Sequence, residues 1–337
     1  MWQASFGSRY RLVRTNSGMI VTRRTVLGAA PLIGAAAIAP SPASAGRRRP
    51  LRLADAVIDA FRRHRVVAVG EIHGQQEHHD AIMTLLLDPR LPSVADDIVV
   101  EFGNALDQPT MDRFVSGAAV EDRDLRLIWR NTTQSPGNTW DSPMYEQFLR
   151  TARAAGMRVL LGDPPVDWAV VTRSGDLDPF RDRNTHTVSV VRREVIDRGR
   201  RALICYGTGH VSRDGDMIPR IEQAAGSPAY VIVAGGHPRL AAHPRRTVIA
   251  VKGTWLESAD SSEFSYFPGE RGMPFGMFAD ALLYLGPVDE QAQSLANPAV
   301  FLDPDYWTEL QRRNAIRENP VDLEQYRQEQ SVRWPAR

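Results

Sequence analysis

The residue types best suited to chemistry gather early in this chain. An apolar run over 66–69 ends in Gly70-Glu71-Ile72-His73-Gly74, and Gln75-Gln76-Glu77-His78-His79-Asp80 follows at once. Residues two apart on an extended backbone project to the same side, so Glu71 and His73 can converge on one point. A carboxylate beside an imidazole supports two kinds of chemistry. The imidazole can work as a general base oriented by the acid, or both can ligate a divalent ion that activates water. Three of the eight histidines fall between positions 73 and 79. Of these, His78 and His79 read as polar first-turn residues of a helix that starts after a turn at Gly74.

Other apolar runs end the same way. Ile98-Val99-Val100 runs into Glu101, Val159-Leu160-Leu161-Gly162 into Asp163, and Leu203-Ile204-Cys205-Tyr206 into Gly207-Thr208-Gly209-His210. Singly, each has a plain structural explanation, such as a helix cap, an arginine partner or a turn before proline. Together they place two histidines and three carboxylates at the ends of four strands. Open α/β sheets build their sites in the crevice beyond those ends. The donor set suits Zn²⁺, Mn²⁺ or Co²⁺ held by Glu71, His73 and His210. It equally suits metal-free acid–base catalysis by His73 or His210, oriented by Glu71 or Asp163, and the residues leave that choice open. There is no His-Glu-x-x-His helix, Walker loop or Gly-x-Ser-x-Gly elbow, which removes three common hydrolase designs.

The elements that must position these groups follow from patterning. Unbroken apolar runs at 66–70, 98–102, 159–162, 202–207, 230–234, 248–251 and 282–285 read as strands buried on both faces. Helical periodicity lies between several of them, at 53–64, 111–114, 125–129, 145–155 and 188–196. The alternation predicts an α/β fold, a mostly parallel sheet flanked by helices. The stretch 104–157 is too long for one crossover and reads as a helical insertion after the second strand. It carries Trp129, Arg130 and Trp140, candidates for substrate contacts. The end of the chain, 291–337, reads as a tail with one charged helix at 307–316 and then an extended segment.

Composition bounds the rest. The chain has 337 residues, 43% of them hydrophobic and 24% charged, as in a globular protein with a real core. The lone cysteine, Cys205, rules out a disulfide framework. Residues 1–45 read as an export leader: Arg23-Arg24, a short apolar stretch, and small residues at Ala43-Ser44-Ala45. The paired arginines point to the twin-arginine export machinery, and either Met1 or Met19 serves as a start. Prolines 31, 40 and 42 break the run, which argues against a stable membrane anchor. The formal charge is +1, but the leader carries five arginines and no acid, leaving −4 for the remainder. Without a basic stripe, nucleic acid is not an expected partner. A small-molecule or peptide substrate met in the periplasm or outside the cell is.

Gly70-Glu71-Ile72-His73-Gly74 and Gly207-Thr208-Gly209-His210, in that order on an α/β frame, resemble the motifs of a superfamily. It joins the erythromycin esterases, the ChaN-like haem-binding proteins and the Tiki/TraB proteins. Val100-Glu101-Phe102 is similar to the acidic strand end these proteins carry. The likeness spans roughly residues 64–240 and is nearest the exported ChaN-like members, so residues 46–290 are expected to form one such domain. The resemblance implies either a hydrolase of an ester, lactone or amide centred on Glu71, His73 and His210, with Glu101 and Asp163 in support, or a haem or metal-chelate carrier of the cell envelope. An inactive binding or structural member is a third outcome. In the haem-binding relative a tyrosine ligates iron, which makes Tyr206 or Tyr145 the residue to examine here. The leader ends without a cysteine, so the lipid attachment of that relative is not expected.

Overall fold

A computed structural model describes residues 51–135, 142–267, 269–294, 296 and 298–332. Among the described residues, eight strands form one sheet: β1 Leu51–Arg52, β2 Val66–Glu71, β3 Asp97–Asn104, β4 Arg158–Asp163, β5 Ala202–Gly207, β6 Tyr230–Gly235, β7 Thr247–Ala250 and β8 Ala281–Tyr284. Their order is β1-β7-β8-β6-β2-β5-β3-β4. The run from β8 to β4 is parallel throughout, while β7 is antiparallel to both β8 and β1. The helices are α1 Leu53–Ala60, α2 Gln76–Leu86, α3 Gln108–Val115, α4 Asp122–Arg130, α5 Pro143–Ala154, α6 Arg183–Val191, α7 Thr208–Val211, α8 Met217–Ala225, α9 Pro304–Ile316 and α10 Leu323–Val332.

Side-chain alternation explains the unbroken apolar runs. Val67 and Val69, Leu203 and Cys205, and Ile98 and Val100 pack on one face, against residues of α1 to α5. Val66 and Ala68, Ala202 and Ile204, and Val99 pack on the other, against α6, α8 and an aromatic group that includes Phe264, Phe275 and Phe278. Both faces are covered, so every position along a central strand must be apolar. Each fully buried Leu or Val contributes about 1.5–3 kcal/mol relative to an exposed one.

The seven strands expected from sequence are all present, and the 104–157 stretch supplies α3, α4 and α5. Three boundaries differ most: the helix expected at 188–196 begins at Arg183 and ends at Val191, followed by a π turn over Arg192–Ile196. The first helix stops at Ala60, although its periodicity runs on to His64. The segment after α9, expected to be extended, is helical. There Asp322 accepts from the Gln325 backbone at 2.8 Å, and Leu323 joins a small apolar cluster with Phe301 and Leu310. A local cap and a tertiary contact thus overrode weak periodicity. The α9 helix docks on the insertion and the loop after β4: Arg313 donates to the Arg130 carbonyl at 2.9 Å, and Arg312 to those of Trp168 and Val171 at 2.6 and 2.8 Å. The leader lies outside the described residues. Among the described residues, no helix is long and apolar enough to cross a membrane.

Candidate active site

The carboxyl ends of β2, β5, β3 and β4 lie side by side, with Glu71 opposite Gly207 and Val100 opposite Cys205. Strand parity then sorts the acids. Glu71 shares the parity of Val67 and Val69 and faces the α2–α5 layer, where the Tyr145 hydroxyl of α5 donates to it at 2.9 Å. Glu101 has the parity of Val99 and faces the α6 layer. After β2 the chain turns at Gly74, whose φ of +76° suits glycine. This turn carries the His73 ring back so that Nδ1 meets Glu71 Oε1 at 3.2 Å and Nε2 lies 3.7 Å from Glu101 Oε2. A second histidine arrives from α7. His210 Nε2 lies 3.5 Å from the other oxygen of Glu101. Gly207 permits the convergence, since a Cβ there would come 2.9 Å from Glu101 Oε2 and 3.2 Å from His73 Nε2.

Glu101 is the hub and is fully buried. It accepts from the Gly207 backbone at 2.5 Å, from Gln134 at 3.0 Å and from Arg183 at 2.9 Å. The same Arg183 donates to Asp163 at 2.8 Å and sits 3.4 Å from His210 Nε2. Asp163 also accepts from the Thr133 backbone and hydroxyl, at 2.5 and 2.8 Å. Glu71, His73, Glu101, Asp163 and His210 therefore belong to one network, as their strand-end positions predicted.

Sequence reasoning missed Arg183. It is one of 40 arginines, it lies twenty residues beyond Asp163, and no motif marks it. Only the docking of α6 at the rim of the sheet brings it in. The two tyrosines fall elsewhere than a haem site would need. Tyr206 is buried, with its hydroxyl 2.9 Å from that of Thr187, and burial raises its pKa; Tyr145 is buried and spent on Glu71. Neither turns a face to a large ligand, so neither fits as an iron ligand. Trp129 is a core residue, and the Arg130 guanidinium lies 3.6 Å above the Tyr306 ring. Trp140 is outside the described residues. His78 and His79 are buried in the first turn of α2, His79 facing Gln147 at 3.0 Å.

The metal expectation finds no support. Among the described residues, no group of three His, Cys, Asp or Glu side chains is arranged to hold an ion. The reason lies in the pairing: Glu71 and His73 are turned on each other, and the guanidinium of Arg183 stands where Glu101, Asp163 and His210 come together. A fixed cation already satisfies the acids.

The two histidines differ in charge. Burial opposes a proton on His73, but Glu101 and Glu71 outweigh it and raise the pKa to about 9. For His210 burial prevails over the pull of Glu101 and lowers the pKa from 6.5. Burial would also push Glu101 up, yet His73, Arg183 and His210 hold it at about 2. Asp163 rises to about 6 because burial outweighs Arg183 and Thr133. Near neutral pH the crevice thus holds one protonated and one neutral imidazole on either side of a permanent carboxylate.

A mostly parallel α/β domain with a histidine–carboxylate–arginine network at its strand ends is the class of protein defined here. Residues 57–194 match the family described as haem-binding uptake proteins of the Tiki superfamily, ChaN. The matched segment, which carries Glu71, His73, Glu101, Asp163 and Arg183, is similar to the ChaN-like group of the Tiki superfamily. No curated protein matches the chain. Among solved structures it is similar to the type III effector HopBA1, at 15% identity over 72% of this chain and 99% of that one, with a TM-score of 0.44. It is also similar to ChaN of Campylobacter jejuni, which binds haem cofacially, at 13% identity over 69% and 92% of the two chains and a TM-score of 0.39. A protein from Bacillus cereus aligns at 8% identity over 69% and 90%, with a TM-score of 0.43.

Proposed function

We propose that this crevice hydrolyses an ester, lactone or amide by acid–base catalysis, with His210 as the base and His73 as the acid. The observation that carries the reading is the placement of two imidazoles on opposite oxygens of buried Glu101, in opposite protonation states. Two titratable groups driven apart by their surroundings are the signature of paired acid and base roles. His210 Nε2 takes a proton from water as the oxygen attacks the carbonyl carbon. Negative charge then builds on the carbonyl oxygen, near imidazolium and guanidinium donors. The tetrahedral intermediate collapses as His73 Nε2–H protonates the departing alcohol or amine. Glu71 and Tyr145 hold the His73 ring, and Glu101 holds its charge. His73 and His210 are 31% and 27% exposed, enough to meet a substrate. A leader of the kind read from residues 1–45 would place the reaction in the periplasm or outside the cell.

The family match favours a second reading, haem binding in uptake. Its iron ligand would have to be some residue other than Tyr206 or Tyr145. One experiment separates the two. The purified chain is given nitrophenyl esters, lactones and peptide amides, and separately titrated with haemin. Hydrolysis abolished by H210Q and H73Q supports the first reading. A stoichiometric Soret band without turnover of any of these substrates would replace it with the second.

A further inference from the structure

The first turn of α6 reaches the site twice. Asp182 starts the helix by accepting from the Thr185 backbone at 2.9 Å. Arg183 then turns inward onto the acids, and Asn184 turns to the base. His210 Nδ1 lies 2.6 Å from Asn184 Oδ1. At its other end the Asn184 amide nitrogen donates to Asp216 Oδ1, just before α8. A carboxylate can only accept, so this bond fixes which end of the amide is nitrogen and leaves oxygen for the imidazole. Asp216 is itself held by Arg220, 3.2 Å away, which also donates to Thr185 Oγ1 at 2.9 Å. The other ring nitrogen is constrained independently. His210 Nε2 lies 3.4 Å from Arg183 Nη1, and a guanidinium has no acceptor capacity.

We infer that Asn184 is a positioning residue for His210, locking it as the tautomer with its proton on Nδ1 and its lone pair on Nε2, with Asp216 fixing the amide. The catalytic consequence rests on the acid–base reading above, because a base must present that lone pair; the lock itself does not. The opposite tautomer would set an Nδ1 lone pair against an amide oxygen and Nε2–H against guanidinium N–H groups. Its only gain would be a contact to Glu101 Oε1, 3.5 Å away. The charged and titratable groups facing the ring are Glu101 from β3, Arg183 from α6, His73 after β2 and Asp216 before α8, with the Tyr206 ring edge-on at 5.9 Å.

The test reads the tautomer directly. Long-range proton–nitrogen correlation spectra are recorded on the full chain carrying ¹⁵N-histidine, with His210 assigned by its loss in H210Q. The wild type is expected to show the Nδ1–H form above neutral pH. Asn184→Leu should mix the two forms and lower kcat at least about tenfold at constant KM, part of the roughly 10²–10⁴-fold a general base supplies. The double substitution N184D/D216N reverses the dyad while keeping an acceptor on Nδ1–H. It should restore the Nδ1–H form and much of the rate, with the acid limb of the pH profile moved upward by the added negative charge. An Nε2–H wild type overturns the lock without needing any variant to fold. So does a folded N184L protein with an unchanged tautomer. If the spectra come out as expected but no ester, lactone or amide is cleaved, the lock stands and the hydrolase reading falls.

Discussion

Strand β3 buries two carboxylates, Asp97 at its start and Glu101 four residues on, both with 0% exposure. The first is structural. Arg200 grips both its oxygens at 2.6 and 2.8 Å and Arg158 stands at 3.5 Å, with no histidine among these partners. The second shares its one arginine with Asp163 and has an imidazole on each side. Burial of an acid is the same in both places, so burial alone marks neither as functional. What separates them is the partner. A guanidinium cannot give up its proton in the working pH range, whereas an imidazole can. On β3 the acid at the carboxyl end meets groups that can exchange a proton, and the acid at the amino end meets groups that only neutralise it.

The sharpest way to break this contrast is to remove each carboxylate charge in turn. E101Q should cut hydrolysis by about 10²–10⁴-fold, as expected when acid and base both lose their anchor. It should also destabilise the fold by about 3–5 kcal/mol, since Arg183 and His73 would be left short of a buried partner. D97N should lower stability by about 1–3 kcal/mol and leave the rate alone. Its arginines, 29% and 33% exposed, can turn to water instead. Steady-state kinetics and urea unfolding on both variants decide the matter. Equal loss of activity would erase the distinction between the two ends.

A pH series sharpens it further. The rate should rise as His210 loses its proton, below the ordinary 6.5, and fall as His73 loses its own at about 9. Stability should follow a related sign. His73 has a folded pKa of about 9 against an ordinary 6.5, so its contribution is complete below 6.5 and is lost as pH rises through 9. Glu101 works at the other end. Its contribution is present above the ordinary 4.5 and is lost as pH falls through about 2. Denaturant midpoints of H73Q that decline with alkali just as the wild type does would contradict the first assignment. A smaller effect than that of E101Q is expected from Y145F, which removes one hydrogen bond to the Glu71 carboxylate and should cost about 1.5–3 kcal/mol. By thermal unfolding it should be milder than E101Q, with a reduced but measurable rate.

Much of the frame was legible without coordinates. Strands buried on both faces leave unbroken apolar runs, and the Gly-Glu-x-His and Gly-x-x-His turns announce where two of them end. That was enough to name Glu71, His73, Glu101, Asp163 and His210. Arg183 and Asn184 escaped because a helix that docks by its first turn leaves no local signal in its arginine or asparagine. Trp129 was misplaced for a related reason: an aromatic residue on an amphipathic helix reads alike whether it lines a pocket or packs a core. The helical end after α9 was hidden because its stability comes from Phe301 and Leu310, distant in sequence.

The sequence by itself determined the α/β alternation and the strand ends at which reactive groups appear, because period and burial are local properties of a chain. Only the tertiary structure decided what those groups do. The proton affinity of His73 depends on Glu101, twenty-eight residues away, and that of His210 on its burial beside Arg183 and the same acid. The strand order β2-β5-β3-β4 brings these groups within hydrogen-bond reach. Charge interactions fall off with distance through a medium whose polarity is set by packing. An acid–base pair is therefore a property of the fold, although each of its members could be picked out in the sequence.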